Sequence, residues 1–99
     1  MEQHCMRELV IYDRGTPTDR QLLTVRITDS DDLTLEGVDT GETPQRLWGD
    51  TDYEYSRTVA REHVPAVLLW LVKERFQSDG ALAEWLKEKG IPSTFNNYI

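Results

Sequence analysis

The sequence predicts an α+β fold: an antiparallel sheet of four to five strands followed by two helices that pack on one of its faces. Two observations carry this prediction. In the first half of the chain apolar and polar residues alternate, and in the second half apolar residues recur every three or four positions. The 99 residues contain no linker rich in proline, glycine or serine, so we expect a single domain over residues 1–99.

The first two strands are predicted over residues 7–13 and 21–28. The first is a short β-prone run that is followed by glycine, threonine and proline, which are turn residues. In the second, Leu23, Val25 and Ile27 alternate with polar side chains. That alternation is the period of a strand with one buried face.

The third strand is predicted over residues 33–36. It follows a tight polar connection at 29–32, so the second and third strands should form an antiparallel hairpin. Residues 39–50 contain two glycines and a proline and are predicted as a loop, with a helical turn at 44–48. Residues 52–59 alternate again and are predicted as the fourth strand.

Two helices are predicted in the second half. The first covers residues 61–76, where apolar side chains follow helical spacing, and the segment 77–80 breaks it and caps the next helix. The second helix ends at Gly90, because glycine suits the position after a helix and Pro92 forbids continuation. Residues 93–98 are predicted as a closing strand or a packed tail.

Charge is distributed unevenly along the chain. The formal net charge is −7, whereas residues 61–99 hold five acids and five bases. The segment from Asp29 to Glu54 has Arg46 as its only base, which gives it a formal charge of −8. Its nine acids are Asp29, Asp31, Asp32, Glu36, Asp39, Glu42, Asp50, Asp52 and Glu54. This asymmetry favours a basic protein partner.

The same charge disfavours two classes of partner. Nucleic-acid phosphates and anionic membranes would both be repelled, so we expect neither direct nucleic-acid binding nor membrane binding. The longest apolar run, residues 64–72, is much shorter than the roughly 20 residues of a membrane span. The first residues lack the apolar stretch of a signal peptide, and Cys5 is the only cysteine, so we expect a cytoplasmic protein.

Several short patterns contain residues that could carry chemistry. Asp39-Thr40-Gly41 resembles the catalytic tripeptide of aspartic proteases, but an acid follows the glycine and predicted helices replace further strands, so a polar turn is the better interpretation. The acids at 29–32 lack the glycine and glutamate of an EF-hand loop. His4 and Cys5 would need His63 brought close to them. We therefore expect no catalytic residue, no metal and no cofactor.

The most suggestive stretch mixes aromatic and acidic side chains between Trp48 and Tyr55. Tryptophan and tyrosine give large, stiff contact surfaces, and carboxylates beside them would meet lysine or arginine. If Tyr53 and Tyr55 point inward, Glu54 points outward and the recognition surface is acidic. The predicted partner-binding residues are Asp31, Asp32, Glu36, Trp48, Asp50, Asp52 and Glu54.

Together these features predict a small acidic protein-binding module and not an enzyme. It would be an inhibitor or immunity-type protein that docks on a basic surface of a toxin, nuclease or nucleic-acid-binding complex. The likeness to such proteins is one of charge and size alone. Two alternatives stay open: a homo-oligomeric accessory subunit, with Leu69 and Trp70 as a homodimer seam, and a small carboxylate-dependent enzyme using Asp50, Asp52 or Glu54.

Overall fold

In the computed structural model four antiparallel strands form one sheet, and two α-helices follow them in the chain. The predicted β-β-β-β-α-α order is thereby confirmed. The structure describes residues 7–42, 46, 47, 49 and 52–97. The chain forms two compact units, Met1–Val64 and Pro65–Ile99. Organisation as a single domain stays a prediction.

The strands are β1 (Glu8–Thr16), β2 (Asp19–Ile27), β3 (Leu33–Gly41) and β4 (Asp52–Val59), and they lie side by side in that order. Each strand pairs antiparallel with its chain neighbour. The predicted hairpin of the second and third strands is therefore confirmed, and the fourth strand has the predicted bounds.

Three strands extend further than the sequence predicted. β1 continues to Thr16, and β2 begins at Asp19 instead of Gln21. β3 continues to Gly41 instead of ending near Gly37. The prediction of a loop starting at Asp39 is wrong, because Asp39, Thr40 and Gly41 pair in register with β2. Backbone pairing on both sides of β3 outweighs the weak strand preference of these residues. The predicted helical turn at 44–48 lies mostly outside the described residues.

The tight turns of the sheet unit are fixed by polar side chains. Asp31 adopts a positive φ of 68° in the β2–β3 turn, a conformation that aspartate tolerates better than most residues. The Thr28 hydroxyl accepts a hydrogen bond from the Asp32 N–H at 3.1 Å. The Asp32 carboxylate accepts another from the Arg61 N–H at 2.8 Å. Asp32 thus ties this turn to the backbone that follows β4.

Central strands are better covered than edge strands. Residues of β2 and β3 are mostly half-buried, whereas β1 and β4 are mostly exposed. Thr34 in β3 is 5% exposed, and its hydroxyl lies 3.2 Å from both the Arg57 carbonyl and the Thr58 hydroxyl. Among the described residues no apolar side chain is fully buried.

In the second unit, α1 (Val64–Arg75) follows a 3₁₀ turn at Arg61–His63, and α2 (Asp79–Glu88) comes after it. The predicted break at 77–80 is confirmed, because Ser78 caps α2 by accepting a hydrogen bond from the Ala81 N–H at 3.1 Å. The rings of Phe76 and Trp85 meet edge to face with centroids 5.5 Å apart.

Residues 91–97 form neither helix nor strand, so the closing strand is not found there. Within the described residues, no helix has the length and apolar character needed to cross a membrane.

Candidate functional site

The strand registers divide the charged side chains between two faces of the sheet. Side chains alternate along each strand, and residues paired across strands share a face. We call the side that carries Glu36 and Glu54 the polar face, and the side that carries Leu23 and Val25 the apolar face. The charged strand residues of the polar face are Glu8, Asp13, Arg20, Arg26, Glu36, Asp52 and Glu54. These are five acids and two arginines, which give the polar face a formal charge of −3.

Both arginines of the polar face are held in ion pairs. Arg20 binds Asp13 with two hydrogen bonds, Nε to Oδ1 at 2.9 Å and Nη2 to Oδ2 at 2.7 Å. These bonds lower the pKa of Asp13 and raise the pKa of Arg20. Arg26 pairs with Glu36, and the hydrogen bond raises the pKa of Arg26. Both arginines are therefore engaged within the sheet, and neither is free to receive an external acid.

Glu8 and Glu54 differ from Asp13 and Glu36 in that no arginine ion pair holds them among the described residues. Both side chains are exposed, and neither lies within ion-pair distance of a lysine or arginine among the described residues. Glu8 sits on edge strand β1 and Glu54 on edge strand β4, so they flank the polar face from opposite sides. Glu8 lies opposite Arg26 across β1 and β2, and its charge helps to raise the pKa of Arg26. Among the described residues neither Glu8 nor Glu54 has an ion pair that a cationic partner would first have to break.

Between these edges the polar face has an apolar floor. Leu22 and Val38 lie directly opposite each other on β2 and β3. One groove over this floor is rimmed by Glu8, Arg26 and Glu36. A second groove lies between β3 and β4 and shares Glu36 and Val38 with the first, and Glu54 and Ser56 also line it.

An apolar floor with carboxylates at its rim matches the chemistry of lysine and arginine side chains. Their aliphatic stems favour apolar contact while their charged ends seek water or carboxylates. A basic segment crossing the polar face could rest a stem on Leu22 and Val38 and direct its charge to Glu54 or Glu8. Glu36 and Val38 line both grooves, so the two grooves lie side by side on the polar face.

The predicted partner-binding residues fall into three groups. Glu36, Asp52 and Glu54 share the polar face. Asp31 and Asp32 lie instead in the β2–β3 turn, where Asp31 forms an ion pair with Arg7 at 3.0 Å and Asp32 binds the Arg61 backbone. Trp48 and Asp50 are outside the described residues.

Sequence reasoning missed Glu8, Asp13 and the floor residues Leu22 and Val38. The two acids lie in β1, far along the chain from the acidic segment at 29–54, and antiparallel pairing brings them onto the same face. The predicted alternation of β2 could have found Leu22, because Leu22 precedes Leu23 and must therefore point to the other face.

Tyr12, Tyr53 and Tyr55 lie on the apolar face. The rings of Tyr53 and Tyr55 lie 5.6 Å apart along β4, and Tyr55 reaches across Gly37 to Tyr12 on β1. The hydrogen bond with Tyr12 is the main cause that raises the pKa of Tyr55, with burial second. Glu54 consequently points to the polar face, so the acidic recognition surface and the tyrosine cluster lie on opposite sides.

The structure also locates the protease-like tripeptide and the predicted homodimer seam. Asp39-Thr40-Gly41 forms the last three residues of β3. In α1, Leu69 and Trp70 are 72% and 59% exposed, and they form a surface patch with Ala66 and Lys73. Among the described residues no group of three or more histidine, cysteine, aspartate or glutamate side chains has the arrangement of a metal site.

Comparison of the chain with protein-family models, curated proteins and solved structures finds no match. Function must therefore be inferred from the chemistry of the described residues themselves.

Proposed function

We propose that the protein is a binding module, not an enzyme, and that its polar face docks on a basic surface of another protein. The observation that carries the proposal is the surplus of carboxylates on one side of the sheet, five acids against two internally paired arginines. A sheet face with this charge offers many weak contacts at once, which suits a protein surface.

Electrostatics favour fast association. A face with a formal charge of −3 draws a basic partner towards it and orients it before contact. Glu8 and Glu54 contribute most because neither forms an ion pair within the part of the chain that the structure describes. The floor of Leu22 and Val38 adds short-range contact once the partner is in place. Binding should weaken as salt screens the exposed charges.

The class of partner follows from the same chemistry. A surface that binds nucleic acid is basic, and carboxylates spread over a sheet face can occupy the positions of the nucleic-acid phosphates. We infer that the module inhibits a toxin, a nuclease or a nucleic-acid-binding complex, as an immunity-type protein does. A catalytic role has less support, because the carboxylates that rim the grooves are exposed or already paired with arginine, whereas general acid–base catalysis needs a positioned acid or base in a cleft.

Capture from the native host tests the proposal. The intact protein is immobilised beside two variants with equal charge loss, Glu8→Gln/Glu54→Gln on the polar face and Glu84→Gln/Glu88→Gln on α2. The proposal expects a basic protein that the wild type and the α2 variant retain at low salt, and that the polar-face variant retains poorly. Equal retention by all three baits would refute a role for the polar face.

A further inference from the structure

Arg26 lies between two carboxylates of the polar face. Glu8 on β1 is directly opposite Arg26 in the β1–β2 register, and Glu36 on β3 is its diagonal neighbour, because Glu36 pairs with Thr24. All three charged side chains line the same groove. Directly opposite side chains are closer than diagonal ones, and a side chain as long as arginine reaches both positions. Arg26 can therefore pair with either acid while the strands stay in place.

The structure shows Arg26 bound to Glu36 and not to Glu8. The Nε–H of Arg26 donates to Oε1 of Glu36, whereas Glu8 acts on Arg26 through charge alone. Glu36 also lines the second groove, together with Glu54. In the free protein Arg26 thus partly neutralises a carboxylate that the second groove would offer to an external cation.

Arg20, the other arginine of the polar face, is held differently. It forms two hydrogen bonds with Asp13. The residues directly opposite Arg20 on the two neighbouring strands are Gly15 and Thr40, which carry no charge. Neither Arg20 nor Asp13 lines the two grooves. Arg20 therefore provides a control with the same charge on the same face and without a carboxylate directly opposite.

We propose that Arg26 is an exchangeable internal cation of the polar face: a basic side chain of the partner takes its place at Glu36, and Arg26 moves to Glu8. This inference rests on the proposed binding of a basic partner and adds how the face adapts to it. After the exchange the partner's cation lies between Glu36 and Glu54 in the second groove, and Glu8 gains Arg26 as its own partner.

The exchange needs little energy. An exposed ion pair contributes little to stability, and the side chains of Arg26 and Glu36 are 42% and 46% exposed. The pair that replaces it joins Arg26 to Glu8, which lies directly opposite on the neighbouring strand, and opposite charges at such positions are favourable. Arg26 therefore hinders partner binding slightly, and Glu8 reduces that hindrance.

A double-mutant cycle between Glu8 and Arg26 tests the exchange, with a hexa-arginine peptide as the cationic probe at low salt. Arg26→Gln should bind the peptide about 2- to 5-fold more tightly than Arg20→Gln, which removes an equal charge from the same face. Glu8→Gln should weaken binding, and by less in the Arg26→Gln background, where no arginine needs a new partner.

Two results of the cycle would overturn the exchange. Equal affinities of the two arginine variants would mean that Arg26 acts only through its contribution to the overall charge. A loss from Glu8→Gln that is at least as large in the Arg26→Gln background would mean that Glu8 contacts the peptide directly and does not receive Arg26.

NMR of the wild type gives a second test, which needs no substitution. Binding of the peptide should shift the Arg26 Nε–H resonance and the side-chain carboxylate carbons of Glu8 and Glu36. An Arg26 Nε–H signal that stays unchanged at saturation would show that the pair with Glu36 persists, and would contradict the exchange while leaving partner binding intact. A wild type that fails to bind the peptide at low salt would instead refute binding through the polar face itself.

Discussion

The ring of Tyr55 lies directly over Gly37 on the neighbouring strand, so closely that a Cβ atom at position 37 would overlap the ring. The two residues are paired in the β3–β4 register. Because Gly37 has no side chain, the Tyr55 ring can extend over β3 towards Tyr12 of β1, with which it hydrogen bonds. A glycine inside a strand is usually a weak point, and here it creates the space for a tyrosine bridge.

Gly37→Ala should therefore destabilise the sheet. The added methyl group forces the Tyr55 ring away from its position and breaks the bond to Tyr12, at a cost of about 1–3 kcal/mol in the free energy of unfolding. Denaturant titration measures this loss. In a Tyr55→Ala background the same change should be neutral or slightly stabilising, since alanine suits a strand better than glycine. An equal loss in both backgrounds would show that the ring is not the cause.

Tyr12→Phe should lower the pKa of Tyr55, because it removes the hydrogen bond that is the largest cause of the raised value. NMR titration of the Tyr55 Cζ resonance follows this change. Tyr53→Phe should have a smaller effect, because Tyr53 acts on Tyr55 through charge alone.

The raised pKa of Tyr55 also predicts an alkaline loss of stability. The hydrogen bond of Tyr55 contributes fully to the free energy of unfolding below the pKa of an unfolded tyrosine, about 10. That contribution is lost as pH rises through the higher pKa of Tyr55 in the folded protein. Wild type should therefore lose more stability than Tyr55→Phe over this range. Identical alkaline profiles for the two proteins would contradict the tyrosine bridge.

Asp13→Asn should reduce stability at neutral pH and have no effect in acid. The hydrogen bonds from Arg20 lower the pKa of Asp13 in the folded protein. Their contribution is present above the unfolded pKa, about 3.9, and is lost as pH falls through the folded value. Thermal unfolding of wild type and variant should therefore converge with acidification. Arg20→Gln should add no further loss in the Asp13→Asn background, and an additive loss would mean that the two residues act independently.

Ser78→Ala should destabilise α2 by about 1 kcal/mol, because it leaves the Ala81 N–H without its capping oxygen. Helical circular dichroism during thermal unfolding measures the effect. Ser78→Asp is the matched control, since aspartate also caps helices and adds a favourable charge at the first turn. The capping account would fail if both variants lost helix equally.

The elements of the fold could be predicted because their signals are local. Alternation in β2 and β4, helical spacing in α1 and the Ser78 cap each lie within a few consecutive residues. The extension of β3 to Gly41 could not be predicted, since Asp39 to Gly41 has turn chemistry and becomes strand only by pairing with β2 and β4.

The site was harder to predict than the fold for a related reason. The acidic segment at 29–54 suggested one patch, but the turn takes Asp31 and Asp32 to the end of the sheet, while pairing brings Glu8 and Asp13 from β1 to Glu36. Such neighbours are separated by many residues in sequence, and only the strand register shows that they share a face.

The most direct measurement of the central claim is the association rate constant with the captured basic partner at low and high salt. At low salt, Glu8→Gln/Glu54→Gln should associate about 3–10-fold more slowly than wild type, and Glu84→Gln/Glu88→Gln should associate nearly as fast as wild type. The three rates should converge at high salt, where screening removes the attraction. Equal rates for wild type and both variants at low salt would contradict binding through the polar face.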